Sequence, residues 1–271
     1  MADQEVSYAR RGPLGVIRLE RPDALNALTP GMISGVEQLA RAAERDPEVI
    51  AICITGAGRG FCAGIDMAAL TEHTRLGPPP ARTAEDGKPA RPALFSFLRD
   101  ISKPVIAAIN GVGAGGGFVL AMMCDLRFMA EDASLITIFS RRGLIAEHGT
   151  SWLLPRLVGA SRALDLLWSS RRVHADEALR IGLLDRVFPA DELLAGLVAY
   201  VDELAANVSP SAIAVMKSQV YRHLSDAMLP SLADADRLTQ AQLKHPDALE
   251  GAMSLIERRP PRFQPWTGEA S

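Results

Sequence analysis

Two glycine-rich turns, each directly behind an apolar run, are the first features of this 271-residue chain that could do chemistry. Gly60-Phe61-Cys62-Ala63-Gly64-Ile65-Asp66 follows Val49 to Ile54, and Asn110-Gly111-Val112-Gly113-Ala114-Gly115-Gly116-Gly117 follows Val105 to Ile109. A glycine loop that runs into a helix presents free backbone N–H groups at the positive end of the helix dipole. If two such loops converge, their N–H groups make a preorganised cradle for an oxyanion. One glycine turn after a strand is commonly just a turn. The pair is the signal.

Other chemistries find less support. Gly111, Gly113 and Gly116 fit the G-x-G-x-x-G pattern of a dinucleotide site, with Glu131 about twenty residues on. However, only Gly117 to Cys124 separates the loop from Asp125 and the next strand, too short for a comfortable crossover between parallel strands. Cys53, Cys62 and Cys124 are odd in number, with no C-x-x-C or Cys/His metal spacing, so neither a disulfide framework nor a zinc site is expected. A balance of 29 basic and 32 acidic residues offers no field for nucleic acid or an anionic membrane. Met1 to Gly12 is polar and lacks a signal-peptide core, so the cytoplasm is the expected compartment.

The elements that must position these loops read as α/β. Gly15 to Glu20 alternates apolar and charged residues like an early strand. Thr29 can cap a helix with Pro30 in its first turn and a stripe of Met32, Val36, Leu39 and Ala43; Asp46-Pro47 ends it. Val49 to Ile54 and Val105 to Ile109 read as buried strands, and Leu126 to Met129 and Ser134 to Phe139 as further ones. Pro104 to Cys124 carries no charge, but Asn110 and five glycines in its middle argue against a membrane span. Thr71 to Pro92, with five prolines, reads as an irregular excursion. Strand signals vanish after about Asp191. Helices then open at Ser209-Pro210 and around His245-Pro246, and the tail from Pro260 is irregular. The expected division is a core over 1–205 and a helical region over 206–271.

Four segments in order carry a family resemblance: Arg21-Pro22-Asp23-Ala24-Leu25-Asn26-Ala27-Leu28; Phe61 to Asp66; Lys103 to Gly111 with Gly115-Gly116-Gly117; and Glu257-Arg258-Arg259-Pro260. Together they resemble the enoyl-CoA hydratase/isomerase (crotonase) superfamily over nearly the whole chain. The resemblance implies a spiral of ββα units followed by a helical trimerisation region, hence a homotrimer or hexamer. It implies an acyl-CoA thioester as substrate, with no cofactor beyond the coenzyme A that the substrate carries. The oxyanion donors would be the N–H groups of Ile65 and Gly116. Ala24, Ala27, Ala63, Asp66, Met67, Val119, Phe139 and Arg258 would line the substrate and its CoA. Within that set Asp66 is expected to be structural, and Arg258 falls near the CoA phosphates.

The departures from the family pattern select the chemistry. Enoyl-CoA hydratases typically carry two glutamates, one to position and activate water and one to deliver the α-proton. Those positions fall on Val119 and Phe139, neither of which can move a proton. Glu147 remains, in Gly143-Leu144-Ile145-Ala146-Glu147-His148-Gly149-Thr150-Ser151-Trp152-Leu153-Leu154-Pro155-Arg156. It stands where some family isomerases and dehalogenases carry a functional aspartate, and the segment looks like the ring-opened phenylacetyl-CoA isomerase type. A cap for the helix near Thr150 is the plainer role for this carboxylate, but Thr150 or Ser151 can cap instead, which leaves Glu147 free. His148 and His73 are weaker candidates for a base, and Trp152 reads as core.

These expectations combine into an enzyme that holds a thioester enolate and uses one carboxylate, Glu147, to shift a double bond. Overall similarity would still attach the label enoyl-CoA hydratase. The alternatives are a β-dicarbonyl hydrolase or C–C bond-cleaving homologue, in which His73 or His148 would matter, and a non-catalytic acyl-CoA-binding protein.

Overall fold

The computed structural model describes residues 5–66, 71, 75 and 93–268. The expectations for Met67, for His73 and for nearly all of the 71–92 excursion lie outside them.

The chain alternates between two sheets. Strands β3 (Ala51–Gly56), β5 (Val105–Ile109) and β7 (Leu126–Ala130) run parallel in a large sheet. The strand after each of them, β4 (Gly60–Cys62), β6 (Val112–Ala114) or β8 (Ser134–Ile136), runs parallel in a smaller one. The hairpin of β1 (Val6–Arg11) and β2 (Leu14–Leu19) and the late strand β10 (Arg186–Phe188) complete the large sheet, in the order β1-β2-β3-β5-β7-β10. The edge strand β9 (Val173–His174) completes the small one, in the order β4-β6-β8-β9. Each pass therefore crosses a tight turn from the large sheet to the small one, and each glycine loop carries a small-sheet strand, β4 or β6, and the chain directly after it.

Helices cover the sheets. In α1 (Pro30–Arg45) the Thr29 Oγ1 accepts the Met32 N–H at 3.0 Å, and Met32, Val36, Ala40 and Ala43 are buried. The expected stripe is rotated by one residue, because Leu39 is only half-buried. All eight residues of α2 (Gly116–Met123) are buried, as suits a helix with no polar face. Helices α3 (Thr150–Val158), α4 (Ala160–Ser169), α5 (Ala175–Arg180) and α6 (Leu193–Asn207) follow. Three more close the chain: α7 (Pro210–His223), α8 (Met228–Gln242) and α9 (Pro246–Glu257). The 205/206 division falls inside α6, two residues short of its end.

Helix α7 is anchored in the core by charge. Lys217 Nζ stands 2.6 Å from the Asp125 carboxylate and donates to the carbonyls of Lys103 (3.0 Å) and Leu98 (3.3 Å). Tyr221 donates to the other Asp125 oxygen at 2.6 Å, and the Val105 N–H donates to that carboxylate at 2.7 Å. Helix α8 buries none of its residues, and Met228, Leu229 and Leu232 are exposed on it. Among the described residues no helix is long and apolar enough to cross a membrane.

Two sequence expectations need correction, and one strand was not anticipated. The polar start contains that strand, β1, whose outer end is exposed as an edge strand permits. The strand expected over Ser134 to Phe139 ends at Ile136. Ile138 adopts φ +61, and Phe139 caps a 3₁₀ turn at Ser140–Arg142. An apolar run does not by itself distinguish strand from turn. Trp152 is not core: it is 37% exposed, and the Arg156 guanidinium carbon lies 3.8 Å from its ring centre.

Candidate active site

The two glycine loops converge. The first runs beside the Arg21–Leu28 segment: Ala63 N–H donates to Leu25 O (2.9 Å), Leu28 N–H to Gly64 O (2.7 Å) and Asp66 N–H to Leu28 O (3.1 Å). This pairing uses Gly64 and Asp66, and the Ile65 N–H has no acceptor among the described residues. Gly116 is the first residue of α2, where helix geometry leaves an N–H unpaired. A Cβ on Gly116 would lie 3.4 Å from the Ile65 nitrogen, and one on Gly64 would lie 3.1 Å from the Gly116 nitrogen. The two free N–H groups are thus neighbours at the positive end of a buried helix.

Backbone crowding explains the glycines. Gly64 has φ +98, and a Cβ there would stand 2.7 Å from the Ala114 carbonyl oxygen. A Cβ on Gly117 would fall 2.0 Å from the Cys62 carbonyl oxygen, so α2 can dock on the first loop only without a side chain at that position.

The Arg21–Leu28 segment is held by its own polar groups. Leu25 and Asn26 have φ +49 and +56. The Asn26 amide donates to the carbonyls of Ala57 (2.9 Å) and Gly60 (2.8 Å), and its oxygen accepts the Arg21 N–H. Arg21 reaches the Ala27 carbonyl and pairs with Asp66 at 3.2 Å. Asp66 thus ties the first loop to this segment through Arg21. Ala24, Ala27 and Ala63 are half-buried along the same strip. The binding roles of Arg21 and Asn26 for their neighbours were not singled out from sequence, although both residues lie inside a quoted motif. Burial pushes the Cys62 thiol up to about 12, which removes it as a nucleophile.

Val119 lies three residues into α2 and is wholly buried; Phe139 is 4% exposed. Ile138 Cγ2 would meet a Cβ on Gly115 at 3.2 Å, so the Phe139 turn packs beside the start of α2. Both positions contribute hydrocarbon.

Glu147 sits in the turn before α3. The cap of that helix is Gly149, at φ +79 and with no side-chain cap bond, so the Glu147 carboxylate does not cap. Among the described residues it has no hydrogen-bond or ion-pair partner, and the residue is half-buried. A Cβ on Gly149 would lie 3.7 Å from Met123 Cε at the end of α2. The cradle and the Glu147 turn thus stand at opposite ends of one helix, about 10 Å apart at 1.5 Å rise per residue. A cavity of about 270 Å³ opens beside this turn, lined by Met123, Gly149, Trp152 and Leu153 together with Ser96, Arg99 and Tyr221.

His148 faces elsewhere. Its Nδ1 accepts the Leu94 N–H at 3.3 Å, and burial lowers its pKa despite the opposing field of Glu147. That bond commits the Nδ1 lone pair and leaves the neutral ring's proton on Nε2, so the ring has no free lone pair with which to act as a base. Arg258 is exposed at the end of α9, with φ +53, and makes no hydrogen bond or ion pair with residues of the cradle. Among the described residues no cluster of three metal-ligating side chains occurs.

Comparison with known proteins identifies the family. The sequence profile of the enoyl-CoA hydratase/isomerase family matches residues 10–265. A protein of Mycobacterium tuberculosis described as a probable enoyl-CoA hydratase is 34% identical over 263 residues, covering 97% of this chain and 99% of the relative. An enoyl-CoA hydratase of Alternaria alternata is 33% identical over 260 residues, covering 95% and 85%. Among solved structures, an enoyl-CoA hydratase from Polaromonas superposes with a TM-score of 0.86 at 28% identity, covering 96% of this chain and 99% of that one. One from Bacillus anthracis does so at 0.84 and 27%, covering 98% and 100%. The two crossed sheets and their paired glycine turns are a crotonase fold. The chain belongs to the enoyl-CoA hydratase/isomerase family and is an acyl-CoA enzyme of that family.

Proposed function

We propose that the enzyme shifts the double bond of a 3-enoyl thioester to the 2-position, with Glu147 as its single acid/base. The observation that carries this reading is the set of side chains at the three positions where family members hold proton-moving groups. Val119 and Phe139 are buried hydrocarbon, and Glu147 is a carboxylate without a hydrogen-bond or ion-pair partner among the described residues. Glu147 takes a proton from C2, and the electron pair passes into the thioester oxygen, held by the Ile65 and Gly116 N–H groups. The proton returns at C4, leaving the double bond between C2 and C3. One base suffices because the enolate holds the charge between the two steps. A substrate laid along α2, thioester at Gly116, runs toward the Glu147 turn. Ala24, Ala27, Ala63 and Asp66 would border its CoA, and Arg258 would meet the phosphates.

Hydration, the activity in the names of the relatives, requires a group to hold water, and the wall at Val119 and Phe139 offers none. The test is a panel of 2-enoyl and 3-enoyl thioesters assayed side by side for hydration and isomerisation. Isomerisation should dominate; hydration as the main reaction would overturn the reading. The exposed apolar residues of α8, with Met216 and Val220 on α7, fit a trimer or a dimer of trimers. Light scattering should show one, and a stable monomer at micromolar concentration would refute it.

A further inference from the structure

The turn that presents Glu147 has a second unusual residue. His148 is a non-glycine residue at φ +51, followed by Gly149 at φ +79, so two successive left-handed residues set the direction of the chain directly after the carboxylate. Left-handed backbone is unfavourable for most side chains and persists where surrounding contacts hold it. Here the contact comes from 54 residues away: the Leu94 N–H donates to His148 Nδ1 at 3.3 Å. Leu94 opens the turn that leads, through the left-handed Phe95 (φ +60), into the 3₁₀ helix Ser96–Arg99. That helix borders the cavity beside Gly149 through Ser96 and Arg99.

We propose that His148 is a positioning residue: by accepting the Leu94 N–H it locks the turn that carries Glu147 against the Leu94–Arg99 segment and so sets where the carboxylate points. The inference rests on Glu147 being the acid/base. The lock needs a neutral ring, because an imidazolium has no acceptor at Nδ1. Burial is the larger influence on the ring and favours the neutral form. Glu147 is the charged group among the described residues whose field reaches it, and that field opposes burial. With the folded pKa depressed, the lock is complete above the ordinary imidazole range and is lost as pH falls through the depressed value.

Two substitutions separate bond from backbone. His148→Gly accepts the left-handed conformation and removes the acceptor. His148→Asn also tolerates it and places Oδ1 near the position of Nδ1, without a titrating group. For isomerisation, His148→Gly should lower kcat roughly tenfold with KM little changed, as expected for a misaimed base. His148→Asn should keep kcat within about threefold of the wild type. The acid side of the wild-type kcat profile should carry a roughly tenfold drop that His148→Asn lacks, because protonation of the ring removes the acceptor at Nδ1. Wild-type kcat in His148→Gly, or the same acid-side drop in wild type and His148→Asn, would overturn the proposal. If His148→Gly does not fold, the comparison of the two profiles decides alone. Unchanged isomerisation in Glu147→Gln would instead remove the acid/base reading beneath it, and that outcome is told apart by its independence from His148.

Discussion

The proposed oxyanion cradle and the Glu147 turn stand at opposite ends of one eight-residue helix and are built by opposite means. At the start of α2 the proposed donors are main-chain N–H groups, fixed by crowding so tight that Gly64 and Gly117 leave no room for a Cβ. At its far end the proposed acid/base is a half-buried side chain on a turn whose cap makes no side-chain bond. A donor made of backbone is aimed by the whole fold and cannot be removed by ordinary substitution. A carboxylate on a turn is easily exchanged, and its aim depends on a few local contacts. Under the proposed mechanism, the stable half of the chemistry is invested in the architecture and the variable half in a replaceable residue.

The sharpest way to break this contrast is Gly116→Pro, which deletes one N–H from the cradle. Proline is accepted at the first position of a helix, and the nearest obstacle to its Cβ is the end of the Leu28 side chain at 3.0 Å, which can yield. Turnover should fall by two to three powers of ten, about 3–4 kcal/mol of transition-state stabilisation, while the melting curve stays cooperative. A folded variant with wild-type turnover would show that the cradle is not the oxyanion site.

Next in size is Glu147→Gln, which keeps shape and removes proton transfer. Isomerisation should fall at least ~100-fold while thioester affinity changes little. Affinity lost in step with rate would mean that Glu147 binds substrate and does not move its proton.

The smallest effect is expected at the strap that seats the first loop. Arg21→Ala breaks a pair with Asp66 in which each side chain is about one quarter exposed, together with the bond to the Ala27 carbonyl. A cost of about 1 kcal/mol should lower the melting temperature by roughly 2–4 °C. The accompanying loss of kcat should be only a few-fold, because the cradle N–H groups are placed mainly by glycine packing. A loss as large as that of Gly116→Pro would erase the distinction between architecture and local contact.

What was legible in the amino-acid sequence follows the same division. The meeting of the two glycine loops could be read because crowded backbone demands glycine, and a missing Cβ is visible as a residue type at Gly64 and Gly117. The buried strands β3 and β5 announced themselves as short apolar runs. The end of β8 did not, since Ile138 takes a left-handed conformation that nothing in Ser134 to Phe139 foretells. Strand β1 was hidden by its polar outer face, which an edge strand is free to carry. Glu147 stood out by its neighbours in the chain, and Thr150 or Ser151 was expected to cap in its place; the residue that does so is Gly149, whose left-handed backbone leaves no signal beyond its type. The bond between His148 and Leu94 spans 54 residues and has no local signature at all.

The buttress under α7 has a consequence for how far the chain can be shortened. Asp125 lies at the head of β7, and its carboxylate, 15% exposed, receives the Lys217 ammonium, which is 8% exposed. A polypeptide ending before Pro210 would keep every strand yet lose both the ammonium and the Tyr221 hydroxyl, and would bare to water the Asp125 carboxylate and the surface that α7 covers. The loss is then that of an ion pair, a charge-assisted hydrogen bond and the packing of a helix, set against the small net stability of an ordinary domain. Helix α7 is therefore a keystone, and a minimal version of this enzyme has to retain it even if everything beyond it is trimmed away.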